Sequence, residues 1–179
     1  MANVILGLLL LAPQSFYDLI KGFEAGVGLF YSASSGSIKR ALDGLLARGA
    51  IEVASVEAGG RGRKVYRATD TGRAEFQAWM GSEPTGSDFE TAALSRLYFL
   101  GLLDADDRVP VLRGITARIE SDLAELTALD ARLDTQAVPP EHRDTAFHQR
   151  ATLAFGIASN RFALAWFGEH IERSEPTDG

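Results

Sequence analysis

Apolar residues dominate the start of the chain and then recur with the period of a helix. The nearly all-apolar stretch 3–12 predicts a short helix that its neighbours must cover on most sides, and Pro13 ends it. Ser15 is a good N-cap for a second helix, residues 16–24, which the glycines that follow it bring to an end. The apolar face of that helix has the spacing i, i+3, i+4, i+7 and consists of Phe16, Leu19, Ile20 and Phe23.

A change of period after residue 50 predicts a β-hairpin between two further helices. A third helix runs from residue 34 or 35 to about 48, with one apolar face formed by Ile38, Ala41, Leu42, Leu45 and Leu46. Residues 51–57 alternate as in a half-buried strand, and residues 65–68 are a second strand candidate. The glycine-rich residues 58–64 between them predict a hairpin tip. A fourth helix follows, from residue 69 or 70 to about 80.

Longer helices are predicted beyond a linker-like segment at residues 82–88. They span about 89–103, 107–133 and 141–171, and Pro139-Pro140 separates the last two. The middle helix carries a Leu/Ile seam with an average step of 3.5 residues, the coiled-coil period. That seam pairs either with a second chain, which would make it a dimerisation surface, or within one chain. Its residues are Leu112, Ile115, Ile119, Leu123, Leu126, Leu129 and Leu133.

Composition limits the classes of protein to which the chain can belong. Its 179 residues, 46% hydrophobic and 23% charged, suit one globular domain with an accessory element and exclude a wholly disordered chain or a membrane bundle. There is no cysteine, so disulfides and thiolate metal sites are excluded. The longest apolar run, residues 4–12, is too short to cross a bilayer and lacks the flanks of a signal peptide. We expect a cytoplasmic protein without a membrane partner.

The residues that could support catalysis do not form a recognisable group. His142 and His148 do not share a helical face, and no zinc-protease spacing such as HExxH involves them or His170. The acidic residues 104–107 lack the glycine and terminal glutamate of a calcium loop. We therefore expect no enzyme activity, no catalytic residues, no metal and no cofactor.

Charge is distributed unevenly, and this changes the expected partner. Residues 1–80 hold nine basic and seven acidic residues, whereas residues 81–179 hold nine basic and seventeen acidic residues, within a net charge of −6. Arg61, Arg63, Lys64 and Arg67 lie within seven residues that contain no acid. Because salt screens charges beyond about 10 Å, local density decides whether a surface can contact phosphate. The basic hairpin tip therefore points to nucleic acid.

The predicted elements follow the order of a winged helix-turn-helix, in which the hairpin is the wing. In such a domain the third helix lies in the major groove and its first residues touch phosphates and base edges. That helix begins with small hydroxyl residues and two cations, and the wing adds further cations that suit a narrow minor groove. The predicted DNA-binding residues of these two elements are Ser34, Ser35, Ser37, Lys39, Arg40, Arg61, Arg63 and Lys64.

Over about residues 4–80 the sequence resembles the N-terminal domain of PadR-family transcriptional regulators. The matching pieces are the opening ILGLL, Tyr17-Asp18-Leu19-Ile20, Gly36-Ser37-Ile38, Leu42, Leu45, Gly49, the basic wing, Tyr66, and Thr69-Asp70-x-Gly72. The resemblance adds Tyr17 to the DNA-binding set. Phe16 stands where the family usually has a small residue. Lys39-Arg40 stands where it usually has Tyr-Pro, which implies an operator unlike the commoner ones.

The remaining sequence resembles the PadR subgroup with a larger helical C-terminal domain, through Leu97-Tyr98-Phe99-Leu100-Gly101 and the long helix after it. The resemblance implies a mostly α fold with a small β-hairpin. A DNA-binding domain would occupy residues 1–81, a linker 82–88, a helical dimerisation domain 89–172 and a disordered tail 173–179.

Family membership would further imply a homodimeric repressor that a small aromatic effector releases from double-stranded DNA. Candidate walls of an effector pocket are Phe76, Trp79, Phe99 and Trp166, with Phe155 and Phe162 as further candidates. Aromatic residues at helical spacing more often pack in a core or a dimer interface. The alternative is a winged-helix domain that binds another protein and no DNA. A neutral wing would mark that alternative, and this wing is basic.

Overall fold

The computed structural model describes residues 1–57, 62–84 and 88–174, which form two compact units, Met1–Val111 and Leu112–Gly179. The tip of the wing with Arg61, the middle of the predicted linker and the end of the predicted tail lie outside the described residues. The helices are α1 (Ala2–Leu11), α2 (Phe16–Ala25), α3 (Ser35–Ala47), α4 (Asp70–Gly81), α5 (Phe89–Tyr98), α6 (Ala105–Asp134) and α7 (Arg143–Ser174). The strands are β1 (Gln14–Ser15), β2 (Ile51–Glu57) and β3 (Arg63–Ala68), and short 3-10 turns lie at Val27–Leu29, Leu100–Leu102 and Pro140–His142. The predicted fold class, a winged helix-turn-helix followed by long helices, is confirmed.

Side-chain caps fix where two helices of the first unit, α2 and α4, begin. Ser15 and Asp18 form a capping box at α2, in which the Asp18 amide donates to Ser15 Oγ and the Ser15 amide donates to the Asp18 carboxylate. Thr69 Oγ1 accepts a hydrogen bond of 3.2 Å from the Gly72 amide at the start of α4. These caps confirm the helix starts that the sequence predicts.

The sheet is antiparallel with the order β1-β3-β2, and β1 was not predicted because two residues are too few to show alternation. A bulge lies between Val53, which faces Tyr66, and Ser55, which faces Val65. The extra residue brings Val53 and Val56 to one side of the sheet, and this explains why Val56 breaks the alternation in the sequence.

The prediction of a half-buried strand at residues 51–57 holds only at its start. Ile51 is buried, whereas Val53 and Val56 are 38% and 61% exposed. The strand leaves the core as it enters the wing, so alternation there does not correspond to burial. The second strand begins at Arg63 rather than at residue 65, which places two residues of the predicted tip in β3.

The core of the first unit is built around α1, as its apolar composition predicts. Val4, Ile5, Leu6, Leu8 and Leu9 of α1 are buried, and α1 packs against α3, α4 and β3. The start of α4 lies close to the backbone that follows α3. A Cβ on Gly72 would be 2.0 Å from the Ala50 carbonyl oxygen, so this position accepts only glycine. Gly49 ends α3 with a φ of 71°, a conformation that favours glycine.

The two units divide inside α6, between Val111 and Leu112, so α5 belongs to the first unit. The sequence places α5 after a linker and in the dimerisation domain. Functional boundaries at residues 81, 88 and 172 therefore remain predictions. The predicted helix 89–103 is also shorter, because α5 ends at Tyr98 and a 3-10 turn follows.

In the second unit α7 packs beside α6. A Cβ on Gly156 would lie 3.4 Å from Leu126 Cδ1, and the Arg150 guanidinium pairs with Asp130 at 2.9 Å and with Asp134 at 2.5 Å. The seam therefore has a partner within the chain at Leu126. Leu112, Ile115 and Ile119 are buried, whereas Leu123, Leu126, Leu129 and Leu133 are half-buried. In residues 1–57, 62–84 and 88–174, no helix is long and apolar enough to cross a membrane.

Candidate nucleic-acid interface

The first turn of α3 uses two of its three serines to cap itself. Ser34 Oγ accepts a hydrogen bond of 3.2 Å from the Ser37 amide, and Ser37 Oγ donates to the Ser34 carbonyl oxygen at 2.7 Å. Ser35 is exposed between them. Of the predicted serines, Ser35 is therefore the one whose hydroxyl a DNA phosphate can meet without competition from the helix cap.

The two cations that follow differ in their partners. Lys39 and Arg40 are both exposed. The Lys39 ammonium forms an ion pair with Asp43 one turn further along α3. Arg40 has no ion-pair partner among the residues that the structure describes. Arg40 is consequently the cation of α3 that is most available to an external anion.

The wing carries its cations at the start of β3. Arg63 and Lys64 are exposed, and Arg63 donates a hydrogen bond of 2.5 Å to Asp18 Oδ2 of α2. Arg67 forms an ion pair of 2.6 Å with Glu52, its partner across the two strands. The net positive charge of the wing is thus lower than the sequence suggests, because Asp18 forms an ion pair with Arg63 and Glu52 forms one with Arg67.

An open groove of about 320 Å³ joins the wing to the start of α2. Its lining includes Tyr17, Arg63 and Lys64, which the sequence predicts as DNA-binding residues, together with Ser15, Phe16, Gly62 and Tyr66. The Tyr17 ring is 58% exposed, and the Lys21 ammonium lies 4.7 Å from its centroid. Sequence reasoning did not select Lys21, although its i, i+4 spacing from Tyr17 on a helix is the signal that could have identified it.

Asp18 is held in its ionised form at the edge of this groove. Hydrogen bonds from the Ser15 side chain and from Arg63 lower the pKa of the Asp18 carboxyl below its ordinary value. One carboxylate therefore caps α2 and ties the wing to it, and Tyr17 lines the same groove as Arg63.

Comparison with known families identifies both parts of the chain. Residues 5–78 match the transcriptional regulator PadR-like family, and residues 92–175 match the C-terminal region of the virulence activator alpha family. The chain therefore carries a PadR-like domain at residues 5–78, followed by a C-terminal region of the virulence activator alpha type. It is therefore a DNA-binding transcriptional regulator rather than an enzyme, and its C-terminal match agrees with the subgroup that the sequence predicts.

Individual relatives of this PadR-like chain are regulators of similar length. A probable transcriptional regulator of Mycobacterium tuberculosis is 27% identical over 171 residues, which cover 89% of each chain. The crystal structure of Bacillus subtilis PadR in complex with operator DNA is 21% identical, covers 97% of this chain and 98% of that chain, and has a TM-score of 0.42. The same Bacillus protein in complex with p-coumaric acid gives 21% identity, coverage of 98% and 96%, and a TM-score of 0.44.

Three of the four predicted effector residues of the PadR-like chain pack together in the first unit. Phe76 and Phe99 are fully buried with ring centroids 6.0 Å apart, and the Trp79 ring lies 5.6 Å from that of Phe76. Trp166 belongs to the second unit, where its ring stacks on His170 at 5.3 Å. The pocket stays a prediction, and within the first unit these rings form part of the core.

Arg96 is a buried cation beside this aromatic core that sequence reasoning missed. It is 2% exposed, its guanidinium carbon lies 4.7 Å from the Trp79 ring centroid, and it donates to the carbonyl oxygens of Trp79 and Ser82 at the end of α4. Burial lowers the pKa of Arg96. Its single charge in an apolar stretch of α5 gave no sequence signal that distinguishes it from a surface arginine.

The second unit exposes three phenylalanines of α7, of which Phe155 and Phe162 are predicted from the sequence as residues of an effector pocket, a core or a dimer interface. Phe147, Phe155 and Phe162 are 68%, 74% and 71% exposed. They are eight and seven residues apart, about two helical turns in each case, and so lie on one broad side of α7. The same spacing is the signal that could have identified Phe147.

Proposed function

We propose that this PadR-like chain is a dimeric repressor that reads its operator with α3 and the wing and that a small-molecule effector releases from DNA. The observation that carries the DNA-binding part is the groove between α2 and the wing, where Tyr17, Arg63 and Lys64 come together. In winged helix-turn-helix domains the first turn of the recognition helix and the wing contact adjacent parts of the duplex. Ser35 and Arg40 supply the contacts of α3.

The homodimer is supported by the exposed side of α7 and by the nature of operators. Large exposed apolar side chains in a row mark interaction surfaces, and Phe147, Phe155 and Phe162 are each more than two-thirds exposed. A dimer places two DNA-reading units on half-sites about one helical turn apart, which links two weak contacts into one strong one. Of the predicted seam, Leu112, Ile115 and Ile119 are already buried within the single chain, so the half-buried Leu123, Leu129 and Leu133 are the seam residues that remain available to a second chain.

Repression and effector release rest on the resemblance to the PadR family, whose members are commonly repressors that lose DNA when a small molecule binds. In this chain Trp79 and Trp166 are the predicted pocket residues that are only half-buried, and Arg96 lies over the Trp79 ring. An effector acts only if it binds one arrangement of the dimer better than the other. A small aromatic molecule is the chemical class that rings of this kind accommodate.

The test of the proposal is fluorescence anisotropy with a labelled duplex from upstream of this chain's own gene and an unrelated duplex of equal length, at about 50 and 200 mM salt. Selective binding that weakens steeply with salt, with two chains per duplex, would support the dimeric regulator. Equal and salt-sensitive binding to both duplexes would place the operator elsewhere. No binding at either salt would favour the winged-helix protein-interaction alternative.

A further inference from the structure

The segment that leads into the recognition helix is held from outside the helix-turn-helix. This segment, residues 26–34, begins at Gly26, the C-cap of α2, and ends at Ser34, the N-cap of α3. Phe30 lies in its middle. The Phe30 carbonyl oxygen accepts a hydrogen bond of 3.2 Å from Thr91 Oγ1, and the Phe30 ring lies 5.5 Å from the ring of Tyr98. Both partners belong to α5.

The beginning of the same segment is also in contact with Tyr98. A Cβ added to Gly26 would lie 2.5 Å from the Tyr98 hydroxyl oxygen, which is closer than real Cβ contacts come. The hydroxyl thus rests against the backbone at the point where α2 ends. One side chain of α5 therefore touches the segment both at its first residue and at Phe30.

Tyr98 is itself attached to the core of the first unit. Its ring makes an edge contact with Phe99 at 4.9 Å, and Phe99 is fully buried against Phe76. Phe99 also fills the space beside Gly7 of α1, where a Cβ would lie 2.8 Å from its ring. The contact of Tyr98 with residues 26–34 is thus anchored to α1 and α4 rather than to a mobile surface.

We propose that Tyr98 is a positioning residue for DNA recognition, which with Thr91 fixes residues 26–34 and hence the direction in which α3 meets the duplex. This inference rests on the proposed function, in which α3 reads the operator. Base readout requires bidentate hydrogen bonds of narrow geometry, whereas phosphate contacts tolerate small shifts. A loosened segment therefore costs affinity for the operator and leaves non-specific DNA binding unchanged.

In this arrangement α5 helps to position the recognition helix on DNA. The sequence instead places α5 with the dimerisation domain, beyond a linker. Thr91 and Tyr98 are seven residues apart on α5, so both face the same side of the helix. Residues 1–81 alone would lack Thr91 Oγ1, which donates to the Phe30 carbonyl oxygen, and the Tyr98 ring beside Phe30.

The experiment measures the specificity ratio of the full-length chain, which is the dissociation constant for an unrelated duplex divided by the dissociation constant for the operator. One duplex is the tightest sequence that the wild-type chain selects from a random pool, and the other is an unrelated duplex of equal length. Tyr98→Ala is expected to lower the ratio about tenfold by weakening operator binding only, and Thr91→Val about threefold through the lost hydrogen bond. Tyr98→Phe keeps the ring contacts and is expected to restore most of the ratio.

Two controls separate this proposal from its alternatives. Leu97→Ala removes a neighbouring half-buried side chain of α5 and should leave the ratio unchanged. Arg40→Ala tests whether α3 reads DNA at all. Suppose that Arg40→Ala weakens operator binding, whereas Tyr98→Ala either leaves the ratio unchanged or weakens binding to both duplexes equally. The positioning role is then wrong and the proposed function stands. If Arg40→Ala has no effect on operator binding, the assignment of α3 itself is wrong.

Discussion

Arg63 of the wing and Asp18 of α2 form an ion pair with a nitrogen–oxygen distance of 2.5 Å across a sequence separation of 45 residues. Their side chains are 47% and 41% exposed, so the pair contributes little to stability through its charge alone. Its consequence is positional. Because Asp18 also closes the capping box with Ser15, the base of the wing is tied to the first turn of α2, where Tyr17 stands.

Replacing Asp18 with Asn should lower the free energy of unfolding at pH 7 and should have progressively less effect in acid. The pKa of Asp18 is lowered in the folded chain by Ser15 and Arg63. A carboxyl with a depressed folded pKa stabilises the fold above its unfolded pKa of about 4, and this contribution is lost as pH falls through the folded pKa. Urea unfolding of both chains between pH 7 and pH 2.5 measures the difference.

Asp43→Asn is the matched control for that measurement. It also removes one carboxylate from an exposed pair, with Lys39, but it caps no helix and contacts no wing residue among those described. We expect a smaller effect on unfolding from Asp43→Asn than from Asp18→Asn at pH 7. A wild-type advantage over Asp18→Asn that stays constant down to the lowest pH would contradict the role of the ionised carboxylate.

Single removal of Arg40 or Lys64 should reduce the salt dependence of DNA binding. Each cation that neutralises one phosphate contributes about 0.9 to the slope of log K against log salt concentration. Arg40→Ala and Lys64→Ala should therefore each flatten the slope by about one unit. Arg63→Ala should flatten it less, since Asp18 already meets that guanidinium. Anisotropy titrations at several salt concentrations give the slopes.

Arg48→Ala is the control for these slopes. Arg48 ends α3 and donates to both carboxylate oxygens of Glu75 on α4, at 2.9–3.1 Å, so its charge is met within the chain. Its removal should leave the slope unchanged. Equal flattening by Arg48→Ala would show that the slope reports overall charge rather than contacts at α3 and the wing.

Lys39→Tyr should change the sequence of the preferred operator. PadR-family sequences usually have a tyrosine at this position. A lysine ammonium can still contact a phosphate, but it presents a different hydrogen-bonding group to a base edge than a tyrosine hydroxyl does. Here Lys39 also pairs with Asp43, and the substitution breaks that pair. Selection from a random duplex pool with both chains compares their operators. The same selected sequence with the same affinity would remove residue 39 from the specificity set, and Asp43→Ala controls for the lost pair.

Features that depend on neighbouring residues were predictable from the sequence, and features that depend on distant residues were not. The caps at Ser15 and Thr69 follow from local hydrogen bonds, and the element order follows from periodicity. The pairing of Arg63 with Asp18 and the attachment of Tyr98 to Gly26 join residues far apart in the chain, and composition does not encode such distances. For this reason the sequence overstates the free positive charge of the wing, and it gives no sign of the contact between α5 and residues 26–34.

A charge on the exposed side of α7 should separate the dimer. Phe155→Glu places a carboxylate where the proposed interface buries an aromatic ring, and hot-spot side chains of this kind carry 2 kcal/mol or more. The dimer dissociation constant should rise at least about thirtyfold, and DNA binding should become weaker because the two half-sites are no longer linked. Sedimentation equilibrium measures the first effect and anisotropy the second.

Gln149→Glu adds the same charge to the same helix and is the matched control. Gln149 is exposed on a different side of α7 from Phe155 and Phe162, so its substitution should leave the dimer intact. If both variants remain as dimeric as the wild type, the exposed phenylalanines do not form the interface. The Leu/Ile seam of α6 would then be the next surface to test, since its residues Leu123, Leu129 and Leu133 are only half-buried in the single chain.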